Sequence, residues 1–144
     1  MTRRLALALA VVGFAGLSCA GGRDEEFVVI VHPSNRFDAL SRSKLNFLFM
    51  RKVSRWPWGA EVEPVDLDAR SPARQGFLEQ VLHITEEQID NYWIDQRATR
   101  GVSPPIRVSS AAEAKKLVAA RPGAIAYIPR AELDRTVKIV KVDP

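Results

Sequence analysis

The sequence has a single cysteine, Cys19, and only two histidines, His32 and His83. One cysteine allows neither an internal disulfide nor a cysteine-based metal site. The histidines are far apart and have no acidic residue at metal-ligand spacing, which favours a structural or surface role for both. A Gly-rich phosphate loop and a nucleophile-elbow motif are also missing. We therefore expect a protein that uses no cofactor or metal and is not an enzyme.

A strong excess of one charge is missing as well. The 144 residues include 21 basic and 17 acidic side chains, for a formal charge of +4. Arg3 and Arg4 belong to the N-terminal segment considered next, and without them 19 basic side chains face 17 acidic ones. The basic residues are scattered along the chain. Such a mixed-charge surface argues against nucleic acid as a partner.

The N-terminal residues have the layout of a secretory signal. Two arginines precede the uncharged, apolar residues 5–17, and small residues surround Cys19. The apolar run is too short for a stable membrane span. The sequence predicts a signal peptide over residues 1–19, a polar tether over 20–26 and one globular domain over 27–144.

The stretch "AGLSCAGG" resembles a bacterial lipoprotein signal. The resemblance implies that Cys19 becomes the acylated first residue and that this lipid is the only membrane contact. Ala20 after the cysteine then implies the outer membrane rather than the inner one. The alternative is cleavage after Ala20 by the ordinary signal peptidase, which would give a freely secreted protein. Either route places the domain in the periplasm or cell envelope.

Apolar stretches predict five strands, at residues 27–31, 61–65, 106–108, 124–128 and 136–142. N-cap residues predict four helices between them, starting at Ser41, Ser71, Thr85 and Ser110. The start at Thr85 forms a capping box with Gln88, and Pro72 after Ser71 suits a first helical position. Strands separated by helices indicate an α/β fold with a mostly parallel sheet.

Three stretches resemble, in the same order, segments of the phosphate ABC transporter substrate-binding proteins. They are "LSRSKLNFLFMRKVSRWPWG", "VEPVDLDARSPARQGFLEQVL" and "RPGAIAYIP". The second is similar to the strand and helix that carry the family's Ser-Gly-Thr phosphate motif. The resemblance implies one lobe of the periplasmic-binding-protein type II kind, with a mostly parallel sheet and helices on both faces. Full family members have two lobes, so the chain looks like a short, single-lobe relative.

The helix start at Ser71 is the candidate anion site. A helix N-terminus offers unpaired N–H groups and a partial positive charge, both of which favour phosphate and sulfate. By the resemblance, Ser71 to Ala73 stand where the family has Ser-Gly-Thr. The turn after the first strand is expected at the same edge of the sheet. The candidate anion-binding residues are Ser34, Asn35, Asp66, Arg70, Ser71, Ala73 and Arg74.

The motif lacks two of the family's donors. Ala73 has no hydroxyl where the family has threonine, and Leu67 stands where the family has an arginine. The two flanking arginines named above are candidate replacements. Asp66 or Asp68 could accept the proton of monohydrogen phosphate, which sulfate lacks at neutral pH. The sequence predicts weak or vestigial binding of phosphate or a similar oxyanion, while the alternative is that Ser71 only caps its helix.

A second class of function is an envelope scaffold that has lost anion binding. Trp56 and Trp58 flank Pro57 in a turn that could contact another protein. One ring is expected to pack on the lobe and the other to be half exposed. A single lobe cannot enclose a ligand from both sides, which favours this scaffold or a second copy that supplies the missing wall. The expected partners are an oxyanion and an ABC transporter permease or another envelope protein.

Overall fold

The structure, a computed structural model, describes residues 27–144. The predicted signal peptide, tether and lipidated Cys19 lie outside the described residues. The described elements are β1 (Phe27–Val31), β2 (Ala39–Ser41), α1 (Arg42–Phe49), β3 (Glu63–Leu67), α2 (Pro72–Phe77) with a π-helical continuation (Leu78–Leu82), α3 (Glu86–Arg100), β4 (Ile106–Val108), α4 (Ala111–Ala120), β5 (Ala124–Pro129) with a short 3-10 turn (Arg130–Glu132), and β6 (Lys138–Asp143). Within residues 27–144, no helix is long and apolar enough to cross a bilayer.

The six strands form one sheet in the order β2-β6-β1-β5-β3-β4. The pairs β3–β4, β3–β5 and β2–β6 are parallel, which confirms the predicted α/β fold with a mostly parallel sheet. β1 runs antiparallel to both of its neighbours, β5 and β6. At each edge the sheet ends in a strand of only three residues, β2 on one side and β4 on the other.

The centre of the core is formed by β1 and β5. Residues 28–31 and 124–128 are almost completely buried, as their continuous apolar sequence predicts for strands covered on both faces. On one face, Phe49 and Phe77 pack on Tyr127, with ring centroids 5.9 and 4.1 Å from its own. The chain crosses from β3 to β4 and then back through α4 to β5. Right-handed crossovers place α4 on the face opposite α2.

Most local signals for helices are confirmed. Three of the predicted N-cap side chains accept a hydrogen bond from the backbone three residues later, at Ser41, Thr85 and Ser110. The capping box of α3 is complete, and the helix ends at Gly101 in the left-handed conformation. Ser71 differs, because it occupies the N-cap position of α2 but its side chain makes no capping bond.

The strand predictions differ from the structure in detail. The strand expected at 61–65 is β3, two residues later, because Glu61 is bridged to Arg55 across the preceding turn. The last strand also begins two residues later than expected. β2 was not predicted, since three residues show no periodicity and its pairing partner, β6, is about 100 residues away in the sequence.

Gly123 marks a close approach between two backbone segments. A methyl group at Gly123 would lie 1.8 Å from the Glu61 carbonyl oxygen, whereas one at Gly76 in α2 would meet nothing nearer than 3.5 Å. We expect Gly123→Ala to lower the free energy of unfolding by about 3 kcal/mol or more, because the backbone must shift. The control Gly76→Ala should raise it by about 0.5–1 kcal/mol, since alanine favours a helix. Urea unfolding measures both, and equal effects would contradict this close approach.

Candidate functional site

A cleft of about 390 Å³ lies at the carboxyl edge of the parallel strands. β3, β4 and β5 all end at this edge, and α2 and α4 both begin there. Open α/β sheets bind ligands at such an edge. The residues that line the cleft are Leu67, Asp68, Arg70, Ser71, Ser109, Ser110, Ala111, Pro129 and Glu132.

The start of α2 supplies donors to this cleft. Ser71 has the extended backbone of an N-cap, but its hydroxyl is not used to cap the helix. Pro72 has no N–H, so Ala73 carries the first backbone N–H of the helix. The next N–H, of Arg74, donates to the Ser71 carbonyl at 3.1 Å. A ligand at this position would therefore meet the Ser71 hydroxyl and few backbone donors.

The start of α4 is already satisfied by its own side chains. Ser110 accepts a hydrogen bond from the Glu113 N–H at 3.2 Å. Ser109 donates to the Glu113 carboxylate twice, through its N–H at 3.1 Å and its hydroxyl at 3.2 Å. The carboxylate offsets the positive end of the helix, as acidic residues in a first turn do. An external anion would have to compete with Glu113 there.

Asp68 and Arg70 form an exposed pair beside Ser71. The Arg70 Nε lies 3.3 Å from Asp68 Oδ1, and the Arg70 backbone N–H donates to the same oxygen at 2.9 Å. The backbone bond and then the side-chain bond hold the pKa of Asp68 below its ordinary value. The Arg70 side chain is 92% exposed, so the pair is screened by solvent. Since Glu132 also lines the cleft, two acidic side chains face one basic side chain there.

A buried ionic network lies behind the cleft, on the face of the sheet that α2 covers. Arg74 and Asp66 are 1% and 8% exposed, and Arg74 Nη1 donates to Asp66 Oδ2. The Tyr127 hydroxyl donates to the other oxygen of Asp66. Arg74 also donates two hydrogen bonds to the carboxylate of Glu86 in α3, from Nε at 2.7 Å and from Nη2 at 3.0 Å. The network thus joins β3, α2, α3 and β5.

Burial and charge act in opposite directions on this network. Burial alone would lower the pKa of Arg74, but the bonds to Glu86 and Asp66 raise it above its ordinary value. Burial, and next the charge of Asp66, raise the pKa of the Tyr127 phenol. Arg74 is therefore held charged and Tyr127 neutral, the combination in which every oxygen of Asp66 has a donor.

The structure separates the predicted anion-binding residues into groups. Arg70 and Ser71 line the cleft, and Ala73 is buried just behind them. Asp66 and Arg74 do not reach the cleft as expected, because they are bonded to each other inside the protein. The sequence analysis left open whether Asp66 or Asp68 would face the anion. Of these two acids, Asp68 is the one that lines the cleft.

Ser109, Ser110 and Glu132 also line the cleft, and the sequence analysis did not assign them to the site. A usable signal existed for the two serines. They follow β4 directly, and β4 runs parallel to β3, so their position at the same edge follows from the sheet order. Glu132 carried no comparable signal, because it lies in the turn after β5.

The prediction that Ser34 and Asn35 lie beside Ser71 is wrong. β1 is antiparallel to β5, so its carboxyl end lies at the opposite edge of the sheet from the cleft. There the Ser34 hydroxyl is 2.7 Å from His32 Nδ1. Asn35 is buried, and its side-chain oxygen accepts a hydrogen bond from the Phe37 N–H. Its backbone carbonyl oxygen accepts a second hydrogen bond from Lys138 Nζ at 2.9 Å. These contacts shape a turn that is remote from α2.

The tryptophan turn is as expected, with one ring inside and one half exposed. Trp56 is 3% exposed and donates from Nε1 to the Gly123 carbonyl oxygen at 2.9 Å. Trp58 stacks on it, with ring centroids 5.3 Å apart and an angle of 4°. The Arg36 guanidinium lies 5.4 Å above the Trp58 ring. Trp56 therefore has no surface for a partner, and only Trp58 of the two could contact one.

In the described part of the chain, no group of three or more His, Cys, Asp or Glu side chains is arranged to hold a metal ion. His32 contacts Ser34, as noted, and His83 is an exposed residue in the left-handed conformation after the π-helical segment.

No protein-family model and no curated protein matches the chain. Solved structures do match. An ABC-type phosphate transport receptor from Vibrio cholerae superposes with a TM-score of 0.66 at 20% identity. The match covers 81% of this chain and 45% of the receptor chain. A putative phosphate ABC transporter substrate-binding protein with bound phosphate, from Clostridium perfringens, gives 0.67 at 22% identity, covering 81% and 44%. A possible phosphate binding protein from Planctomyces limnophilus gives 0.60 at 20% identity, covering 81% and 41%.

These likenesses show the fold. The six-stranded α/β architecture matches that of the phosphate transport receptors, which confirms the resemblance and the fold class inferred from the sequence. The chain spans less than half the length of each of these proteins. It therefore has the architecture of one part of such a receptor.

Removing the Arg74 guanidinium would leave the buried Asp66 without its charged partner. We expect Arg74→Met to lower the free energy of unfolding by about 3–5 kcal/mol at neutral pH, because an uncompensated buried carboxylate remains. The matched control is Arg70→Met, whose pair with Asp68 is exposed and should contribute at most about 1 kcal/mol. Urea unfolding measures both changes. Similar losses for the two variants would contradict a special role of the buried pair.

Tyr127 should make the protein sensitive to alkali. Its pKa is raised in the folded state, so the phenol keeps its proton at a pH where the unfolded chain loses it. Its contribution to stability is complete below about pH 10 and falls above it, by up to about 1.4 kcal/mol per pH unit. The free energy of unfolding should fall more steeply above pH 10 in the unchanged protein than in Tyr127→Phe. Parallel pH curves for the two proteins would refute this origin of the sensitivity.

Proposed function

We propose that the chain is an extracytoplasmic solute-binding lobe whose cleft takes phosphate or a similar oxyanion weakly. The observation that carries this proposal is that the Ser71 hydroxyl makes no capping hydrogen bond to α2. This hydroxyl lies at the carboxyl edge of the sheet, beside Arg70. The fold supports it, because the similar structures are phosphate receptors and one of them holds phosphate.

The charges of the cleft limit the affinity. A phosphate dianion would gain from Arg70 and the Ser71 hydroxyl, but it would also meet the carboxylates of Asp68 and Glu132. A hydrogen bond to Asp68 can offset part of this repulsion, because the O–H of monohydrogen phosphate can donate to a carboxylate oxygen. Sulfate has no such proton at neutral pH, so Asp68 favours phosphate over sulfate.

An open cleft also limits what one lobe can do alone. The site occupies one edge of the sheet, and the chain covers less than half of each similar receptor. A second wall would have to come from another copy or from another envelope protein, such as a transporter permease. We propose a binding role without catalysis, outside the cytoplasm, with a lipid on Cys19 as the anchor.

The alternative function is an envelope scaffold without anion binding. The half-exposed Trp58 favours it, because its ring stacks on buried Trp56 and is therefore held rigidly at the surface. Rigid aromatic side chains lose little entropy when they contact a partner. Loss of a partner in Trp58→Ala, with anion binding absent in the unchanged protein, would favour this alternative.

Isothermal titration with phosphate, and with sulfate as the comparison anion, tests the proposed site. We expect a dissociation constant for phosphate of about 0.1–1 mM, in keeping with a few charge-assisted bonds in an open cleft. Ser71→Asp should abolish binding, because it places a carboxylate where the anion sits. Ser34→Asp, at the opposite edge of the sheet, introduces the same charge and should leave binding unchanged.

A third variant tests the role of Asp68. Asp68→Asn should bring the affinities for phosphate and sulfate closer together, because the acceptor for the phosphate proton is removed and the repulsion of sulfate falls. Absence of heat from either anion at millimolar concentration would reject the oxyanion site. Micromolar affinity would show that Arg70 compensates fully for the missing family donors.

A further inference from the structure

Three aromatic rings on one side of the lobe each hold a basic group over their face. An aromatic face attracts a cation electrostatically, so the ring fixes the position of the charge above it. The pairs, measured from the basic group to the ring centroid, are Arg36 with Trp58 at 5.4 Å, Lys44 with Phe37 at 4.9 Å and Lys52 with Phe47 at 5.5 Å.

The three pairs form one continuous surface. The ring centroids of Phe37 and Trp58 are 5.8 Å apart. Lys44 precedes Phe47 by three residues on α1, so these two side chains are neighbours on the helix. Lys52 follows α1, and its backbone N–H donates to the Phe47 carbonyl oxygen at 2.9 Å. Together with the adjacent valine, the cation–aromatic surface consists of Arg36, Phe37, Lys44, Phe47, Lys52, Val53 and Trp58.

Apolar groups are exposed among these cations. Phe47 is 45% exposed and Val53 is 38% exposed, while Phe37 and Trp58 are half-buried. A cluster of large apolar side chains at the surface marks a place where another protein or a membrane makes contact.

The protein does not neutralise the three cations. In the described part of the chain, Arg36, Lys44 and Lys52 make no ion pair with a carboxylate. Asp38, two residues after Arg36, pairs instead with Lys138 at 2.7 Å. Charge complementarity therefore calls for an anionic partner.

The shape of the surface favours a membrane over an acidic peptide. Peptides are usually bound in a groove or along a sheet edge. Neither the cleft nor a larger groove, of about 740 Å³ beside β1 and β6, is lined by a residue of this surface. Its residues come from a helix and from loops. A bilayer needs no groove, because it presents phosphate groups to the cations and an apolar layer to the rings.

We propose that the cation–aromatic surface docks on a membrane that contains anionic lipids. Phe47 and Val53 enter the apolar boundary, Trp58 lies at the level of the headgroups, and the three cations contact lipid phosphates. This contact is separate from the proposed oxyanion site, since the surface shares no residue with the cleft. Either can therefore fail without the other.

Trp58 reports the contact by its fluorescence. Trp56 and Trp93 are only 3% and 8% exposed, so Trp58 is the most exposed of the three tryptophans. The full chain is reconstituted on vesicles of phosphatidylcholine, with or without about 30% phosphatidylglycerol. Bromine on the acyl chains serves as a short-range quencher of tryptophan. We expect quenching, relative to unbrominated lipid, on the anionic vesicles and not on the neutral ones.

The quenching, and not membrane association, is the readout. The apolar residues 5–17 are expected to hold the full chain on both kinds of vesicle. Trp58→Phe should remove most of the quenching, because the remaining two tryptophans are buried. Salt at 1 M should weaken the quenching of the unchanged protein, because it screens the three cations.

Substitutions in the surface test its two components. Lys44→Gln and Lys52→Gln should each lower the ratio of docked to undocked protein about fivefold on anionic vesicles. Lys44→Arg should preserve docking, since it keeps both the charge and the contact with the ring. Phe47→Ser should lower the ratio about tenfold, because it removes the most exposed apolar side chain of the surface.

Matched controls exclude a general effect of charge or apolar area. Lys116 is an exposed lysine of α4, and Ile94 of α3 is 68% exposed. Lys116→Gln and Ile94→Ser should leave the docking ratio within about twofold of the unchanged protein.

Three outcomes would overturn the proposal. The first is quenching that is equal, or equally absent, on neutral and anionic vesicles. The second is an effect of the control variants as large as that of the surface variants. The third is a blue shift of Trp58 emission with soluble polyglutamate and no quenching on anionic vesicles, which would assign the surface to an acidic protein segment.

Discussion

The ion pair between Asp66 and Arg74 determines how the lobe is assembled around its cleft. It is buried, and it connects the last part of β3 to the first turn of α2, while Tyr127 of β5 and Glu86 of α3 complete it. These elements also pack through apolar side chains, and β3 and β5 are paired through their backbones. The network adds polar side-chain contacts that join these two strands to α2 and α3. A buried pair adds little net stability and penalises arrangements that leave a charge unpaired.

The same pair sets the chemistry of the cleft. It removes one carboxylate and one guanidinium from the possible anion contacts and leaves Arg70, which is almost fully exposed, as the basic side chain lining the cleft. Glu113 satisfies the start of α4. The cleft is therefore left with few strong side-chain donors, chiefly the Ser71 hydroxyl and the Arg70 guanidinium.

Local features of the structure were predictable and long-range ones were not. The caps at Ser41, Thr85 and Ser110 depend on residues three positions apart, so the sequence shows them directly. The direction of β1 depends on β5, about 100 residues away, and the wrong direction misplaced Ser34 and Asn35. The burial of Arg74 was equally hidden, because an arginine three residues after a helix cap usually faces solvent. Only its meeting with Asp66 and Glu86 makes burial tolerable.

The three-residue strands at both edges of the sheet restrict how the lobe can associate. A strand this short exposes few unpaired backbone groups, so it is a poor template for adding another strand. Short edges disfavour both the merging of two lobes into a continuous sheet and growth into fibrils. Association has to use side chains on the faces or around the cleft, where residues can be changed one at a time to select a particular neighbour.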